Sequence, residues 1–296
     1  MLAERYRAIL ETRSHRPEAI VEAAARRVRP TSLFNDHGRL MIIAADHPAR
    51  GALRAGQRAL AMADRIELLD RLCLALSRPG VNGVLGTPDI VEDLLLLGAL
   101  DGKVVIGSMN RGGLAGAVFE IDDRFTGYDA AALALAGFEG GKMLLRIDPD
   151  DPATAATVES CARAVGELAA RRLMAMIEPF IAHRVDGRVR IDLSPDATIR
   201  AMTVAAGLGT TSAYTWLKVP VVDDMERVMA ATTMPALLLG GEVHADQDAA
   251  FERWRVALKL PTVRGLVIGR SLLYPPGDDV AATVDMAVGL LREGTG

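Results

Sequence analysis

The sequence predicts an α/β fold, a single closed (β/α)8 TIM barrel with an N-terminal helical extension, on three observations. Short aliphatic runs alternate with longer amphipathic stretches eight times in succession, as a parallel sheet with crossover helices requires. Each run is apolar almost throughout, the mark of a strand covered on both faces. No linker, low-complexity segment or compositional break interrupts the alternation, so the 296 residues read as one domain, a length such barrels reach.

Taken in order, residues 1–38 carry two helical patterns and form the extension, which either closes the bottom of the barrel or serves a subunit contact. The strand candidates are Leu40 to Ala45, Asn82 to Leu85, Val104 to Gly107, Met143 to Ile147, Leu173 to Ile177, Thr215 to Val219, Ala236 to Leu239 and Gly265 to Ile268. The helical patterns run Gln57 to Ser77, Asp89 to Ala99, Asp129 to Phe138, Ala153 to Arg171, Asp196 to Ala206, Asp223 to Ala231, Gln247 to Leu258 and Val280 to Arg292. Several open on Asp, Pro or both, as in TPDIVED and SPDATIR, where a capping side chain satisfies free N–H groups.

Composition excludes several classes. Half of the residues are hydrophobic and 24% are charged, which supports a large core and argues against disorder. The formal charge is −4 with no basic run or aromatic-interleaved basic patch, so no nucleic-acid partner is expected. Cys73 and Cys161 form no CxxC pair and read as reduced thiols. The N-terminal segment lacks a signal-peptide core, and the apolar stretch from Ile90 to Leu100 is broken by acids and too short to span a bilayer. The expectation is a cytoplasmic protein with no membrane role.

Lysine usage is informative. Of 34 basic residues only Lys103, Lys142, Lys218 and Lys259 are lysines. A lysine kept in apolar surroundings points to chemistry that arginine cannot do, because only an amine readily loses its proton and attacks a carbonyl.

In such a barrel the chemistry belongs at the C-terminal strand ends. Asp46 ends the first strand in LMIIAADHPARG, Lys142 and Arg146 flank or lie in the fourth in GGKMLLRIDPD, Glu178 ends the fifth in LMAMIEPF, and Lys218 lies in the sixth in YTWLKVPVV. Lys218, between Leu217 and Val219 and near Trp216, reads as a desolvated amine whose neutral, nucleophilic form is favoured. The bland reading is a strand-end lysine that snorkels or pairs with an acid. Glu178 and Asp46 supply carboxylates for proton transfer, or are ion-pair partners and caps. Lys142 holds those acids charged or orients a substrate oxygen. Gly240 and Gly241 in LLLGGEV, with Gly269 and Arg270 in VIGRSLL, have the order of the phosphate cradle that barrels build after strands seven and eight. Glycines also end strands for steric reasons alone.

The stretches IIAADHPARGAL, GGKMLLRIDPDDP, AMIEPF, TWLKVPV, LLLGGE and VIGRSLL, in this order over about residues 40 to 275, resemble the class I aldolases of the DhnA/DeoC-type barrel superfamily. The similarity is to the tagatose-bisphosphate and sulfofructose-phosphate aldolase branch, and over the whole chain to actinobacterial aldolase-like barrels found with inositol catabolism. The resemblance implies that Lys218 forms a Schiff base, that Glu178 handles protons, and that Lys142 and Asp46 position hydroxyls and tune charge. It implies a phosphorylated keto-sugar substrate whose phosphate is anchored by Gly240, Gly241, Gly269 and Arg270, no metal or other cofactor, and a homo-oligomer; Arg146, in the fourth strand, is a further substrate-binding candidate. The inositol-associated likeness suggests 2-deoxy-5-keto-gluconate 6-phosphate, split into dihydroxyacetone phosphate and malonate semialdehyde. The sequence departs from the family's D-Q-R-G-A-L, reading DHPARGAL, two residues longer, which leaves His47 and Arg50 without a transferred role. Arg146 replaces an aromatic position, which suggests a more anionic or differently oriented substrate.

Rival readings stay open at this level. Sulfofructose phosphate or another ketose phosphate is an alternative substrate. A zinc-dependent aldolase would draw on His47, His183 and His244, all just past strand ends but without tight ligand spacing. A relative of the family uses the imine lysine for acyl transfer between a keto-sugar phosphate and coenzyme A. A sugar-phosphate-binding barrel without catalysis is a further class, which gains nothing from a desolvated amine.

Overall fold

A computed structural model describes residues 2–34, 37–241, 243 and 246–293. Two helices, α1 (Leu2–His15) and α2 (Ala19–Arg26), precede β1 (Leu40–Ala44), α3 (Arg65–Ser77), β2 (Gly83–Gly86), α4 (Pro88–Leu96), β3 (Val104–Ser108) and α5 (Ala130–Leu135). There follow β4 (Gly140–Ile147), α6 (Ala153–Ala170), β5 (Met174–Val185), β6 (Arg188–Asp192), α7 (Pro195–Ala206) and β7 (Thr215–Pro220). The chain ends with α8 (Met225–Ala230), β8 (Ala236–Leu239), α9 (Gln247–Ala257), β9 (Val263–Ile268), α10 (Arg270–Leu273) and α11 (Val280–Glu293).

The strand order is β4-β3-β2-β1-β9-β8-β7-β5, and β5 pairs back onto β4, so the parallel sheet closes into an eight-stranded barrel. Outward residues such as Met41, Ile43, Val84, Leu145, Ile177 and Leu266 join Leu68, Leu72, Leu94 and Leu168 of the helices in one apolar layer. Inward residues form a second, smaller core from Leu40, Ile42, Leu85, Val104, Ile106, Met174, Met176, Leu237 and Val267. This is the packed interior expected of a barrel. Side chains alternate along each strand, so the inward column continues upward through the same parity.

The extension's fate follows from packing. Leu33 and Phe34 pack on the inner core together with Trp216, and Phe34 and Trp216 lie 5.8 Å apart, centre to centre. The segment after α2 therefore closes the bottom of the barrel, one of the two roles expected from sequence. Arg27 fixes it there by donating to Glu139 (2.9 Å) and to the carbonyls of Lys103 and Gly137.

Most expected boundaries shift by one to three residues, and two differ by more. The helix expected over Gln57 to Ser77 begins at Arg65, because Asp64 accepts from the Glu67 amide (3.0 Å) and caps it there. Residues 52–64 are instead turns at the mouth. The fifth strand does not stop at Ile177 but continues to Val185 and turns back as β6 in antiparallel register, with Ala182 facing Ile191. This hairpin, absent from the sequence expectation, stands at the rim. Among the described residues no helix is long and apolar enough to cross a membrane.

Candidate active site

Strand parity assembles the site. Leu40, Ile42 and Ala44 point inward, so Asp46 does too; Met174 and Met176 carry Glu178, Trp216 carries Lys218, and Gly140 carries Lys142. Each inward column is apolar below and polar above. Lys142, Asp46, Lys218 and Glu178 are 1%, 1%, 3% and 9% exposed, all at one end of the barrel.

These four expected residues meet. Glu178 Oε1 lies 2.8 Å from Lys218 Nζ, and its Oε2 pairs with Lys142 Nζ, so one carboxylate bridges two amines. Lys142 Nζ also reaches Asp46 Oδ2 at 3.1 Å. That oxygen accepts from Ser108 Oγ (3.1 Å) and faces Arg111 Nη1 at 3.2 Å. Lys218 is buried as expected, but it is paired with an acid rather than surrounded by apolar groups alone.

Electrostatics divide the group. Burial works against ionising Glu178, yet the charges of Lys142 and Lys218 outweigh it and hold this carboxyl well below the usual range. Asp46 is held down in the same way, against burial, by Arg111, Lys142 and Lys218. Lys142 moves the other way, to about 8, because burial and the nearby Arg111 outweigh its acidic partners. Burial pushes the His47 imidazole down to about 3, so it is neutral at physiological pH.

Sequence reading missed a second cluster, built on the loop after β3. Asn110 both accepts from the Leu144 amide and donates to the Leu144 carbonyl, each at 2.7 Å, tying the loop to β4 like a short strand. Arg111, next in sequence, is thereby set beside Asp46. Arg146, expected to bind substrate, lines the cavity, but its guanidinium is engaged by Glu120 Oε1 (2.9 Å), Asp123 Oδ2 (3.1 Å) and the Gly113 carbonyl (3.3 Å). Glu120 also faces Arg50 at 3.3 Å. The one visible signal was an arginine beside paired glycines in NRGG.

Both clusters open into a cavity of about 1000 Å³. Gly240, Gly241, Gly269 and Arg270 line its β8–β9 side. A side chain at Gly269 would collide with the Ala44 carbonyl oxygen, a Cβ at Gly240 would lie 2.6 Å from Ile268 Cγ2, and Gly241 has φ +67°. Bare backbone is therefore required at these strand ends whether or not a ligand is present. Of the expected histidines, His47 lines the cavity, His183 is exposed on the β5–β6 hairpin, and His244 lies outside the described residues.

Comparison with known proteins is consistent with this architecture. The crystal structure of Cgl0159 from Corynebacterium glutamicum is 53% identical, with TM-score 0.95 over 98% of this chain and 97% of that one. An archaeal fructose 1,6-bisphosphate aldolase is 17% identical, with TM-score 0.65 over 92% of this chain and 99% of that one. The fructose-bisphosphate aldolase from Slackia heliotrinireducens is 15% identical, with TM-score 0.61 over 91% and 95%. At such identities the two aldolases share the barrel fold with this chain. Among curated proteins none matches. The Cgl0159-like family model matches residues 38–288, the whole barrel and its site, and the chain belongs to the Cgl0159-like family.

Proposed function

We propose that this protein is a class I aldolase that cleaves a keto-sugar phosphate through a Schiff base on Lys218. One observation carries the reading: a buried amine 2.8 Å from a carboxylate that also holds a second buried amine, at the C-terminal mouth of a barrel. An amine is a costly choice for a merely structural cation in a chain whose 34 basic residues include only four lysines. A structure solved with reaction intermediates of a Schiff-base-forming fructose-1,6-bisphosphate aldolase has this fold, at 18% identity and TM-score 0.64.

The residues account for each step. Lys218, once deprotonated, attacks the ketone carbon, and the carbonyl oxygen takes up a proton to become the carbinolamine hydroxyl. Glu178, in contact with both amines, returns a proton to that hydroxyl so that it leaves as water, giving the protonated imine. Glu178, ionised again once water has left, takes the proton from the hydroxyl on the carbon two bonds from the imine carbon; the carbon–carbon bond on the imine side of that carbon breaks, with the imine accepting the electron pair as an enamine. Protonation and hydrolysis then release the second product and restore the amine. Asp46 and Lys142 orient substrate hydroxyls, and the Gly240, Gly241, Gly269 and Arg270 backbone and side chain hold the phosphate. Among ketose phosphates, 2-deoxy-5-keto-gluconate 6-phosphate is the substrate to try first.

Borohydride reduction in the presence of ketose phosphates should add the mass of the reduced ligand to one lysine, mapped to Lys218. Lys218→Arg should abolish the adduct and lower turnover by about 10³-fold or more. An adduct on another residue, or turnover that survives the substitution, would overturn the proposal. Activity lost in chelator with no adduct formed would favour a metal-dependent reaction instead.

A further inference from the structure

His47 stands beside the quartet without belonging to it. It follows Asp46 and opens the turn Pro48–Arg50, where its carbonyl accepts from the Arg50 amide (3.2 Å) and the Ala52 amide (3.3 Å). The DHPARGAL segment is thereby folded into a turn that fixes the His47 backbone. The ring in turn rests on Gly269, where a Cβ would come within 3.0 Å of His47 Cε1. Held at its backbone and at one edge, the imidazole has little freedom to leave the cavity it lines.

Two neighbouring atoms lack hydrogen bonds. Asp46 divides the work of its oxygens: Oδ2 accepts from Ser108 and Lys142 and faces Arg111, whereas Oδ1 has His47 Nδ1 near it at 3.9 Å. That distance is too long for a hydrogen bond, and Nδ1 is buried with no partner among the described residues. Nor is the contact an ion pair. Burial, helped by the charges of Arg270 and Lys218 and opposed by those of Asp46 and Glu178, brings the imidazole down to about 3 and leaves it neutral. A neutral imidazole beside a carboxylate carries its proton on the nearer nitrogen, which sets an Nδ1–H donor next to the Oδ1 acceptor. A group lying about 2.8 Å from each bonds to both only if it donates on one side and accepts on the other. Among the groups of a sugar phosphate a hydroxyl does this. A ketone or ether oxygen has no proton to give Asp46, a phosphate dianion is repelled by it, and a methylene leaves both buried atoms unpaired.

We infer that Asp46 and His47 bracket one hydroxyl of the keto-sugar, which donates to Asp46 Oδ1 and accepts from His47 Nδ1, and that His47 is the specificity residue that makes a hydroxyl obligatory at that point. The inference rests on the imine reading of Lys218, which brings the sugar to this end of the barrel. The bracket positions its hydroxyl and does not ionise it, because Asp46, held well below the ordinary carboxylate range by Arg111, Lys142 and Lys218, is a weak base. Selection here is thus made in binding, by the loss that a deoxy sugar suffers when it strands a buried donor and acceptor.

Borohydride trapping of deoxy ligands tests the bracket separately from the imine. The probes are fructose 6-phosphate, or tagatose 6-phosphate where that traps better, and the four analogues lacking the hydroxyl at carbon 1, 3, 4 or 5. The readout is the half-trapping concentration of each analogue divided by that of its parent, taken within each protein so that a partly unfolded preparation does not alter it. In the wild type one analogue should be weaker by about tenfold or more, since it forfeits a charged hydrogen bond and strands the imidazole N–H. In His47→Ala that penalty should fall several-fold while the other three ratios hold, and His47→Gln, which restores an N–H donor, should recover most of it. A general disturbance of the mouth would instead move all four ratios together. Such a uniform change, a wild type that penalises no analogue, a penalty that His47→Ala leaves whole, or one that His47→Gln fails to recover overturns the bracket while leaving the imine intact. Absence of any adduct, from both ketoses and every analogue, overturns the imine reading and the inference with it.

Discussion

Glu178 faces two amines with one carboxylate, and this sets the order in which protons can move. Glu178 and Asp46 both rest ionised near neutral pH, held well below the ordinary carboxylate range, so Glu178 carries a proton only in passing between its partners. Lys142, brought to about 8, exchanges its proton there. Once neutral, it can receive through Glu178 the proton that Lys218 must lose before attack. Trapping rate should therefore rise with pH through an inflection near 8, and Lys142→Met should lack that inflection. A flat wild-type profile, or an inflection that survives in the variant, would count against this relay. Stability carries a second sign. The native state binds fewer protons than the unfolded chain at Asp46 and Glu178, so their contribution is present above the ordinary carboxylate range and is lost as pH falls. For Lys142 the native value is the lower one too. Its burden on the native state is full below about 8 and is relieved as pH rises toward the lysine reference of 10.5. Acid should thus unfold the protein sooner than comparable alkali, which melts across pH would reveal.

At the scale of elements, Glu139 tests whether fold and chemistry separate. It precedes β4, accepts from Arg27 at 2.9 Å and from the Val105 amide at 2.8 Å, and lies at the closed end of the barrel, away from the quartet. Arg27 is 7% exposed, and Glu139→Gln would leave its charge buried without a counterion. Breaking such a pair costs about 3–5 kcal/mol. The variant should melt several degrees lower yet trap ligand with unchanged half-saturation below its melting range; a matching loss of trapping would show that the bottom of the barrel shapes the mouth. These elements also mark where the sequence was readable. The eight strands and most helices follow from periodicity, because each strand is buried on both faces and each helix on one. The β5–β6 hairpin was hidden because Pro179 interrupts the fifth run and a stretch rich in charged residues, from His183 to Arg190, follows it. In the structure Pro179 sits within β5 opposite Leu145, and the strand resumes beyond it. Lys218, Glu178, Asp46 and Lys142 were legible because polar residues stood out against apolar strands. Arg111, Glu120 and Asp123 were not, since their loop has no period and takes its shape from bonds to distant residues such as Leu144 and Arg146.

The whole molecule is electrically lopsided. Its formal charge is −4, yet among the described residues nine lysines and arginines and only three carboxylates line the cavity. The remaining surface must carry the negative excess, so field lines from an otherwise acidic particle converge on a positive mouth. Two effects follow for an anionic ligand. Capture should slow as salt rises, because screening shortens the reach of that field to about 10 Å at 0.1 M. Occupancy should also stabilise the fold, since an anion that binds only the native state adds RT ln(1 + [L]/Kd) to its stability, about 2.7 kcal/mol at a hundredfold excess over Kd. Inorganic phosphate should therefore raise the melting temperature in a saturable way, whereas chloride at equal ionic strength should not. Replacing Gly269 with Ala would push a methyl group against the Ala44 carbonyl oxygen and also lower the melting temperature without ligand. The informative quantity is thus the phosphate-induced increment, which should shrink if these strand ends hold the anion. A saturable increment that persists in full in that variant would move phosphate binding elsewhere in the mouth, and an effect of chloride equal to that of phosphate would reduce the cavity's positive character to general salt stabilisation.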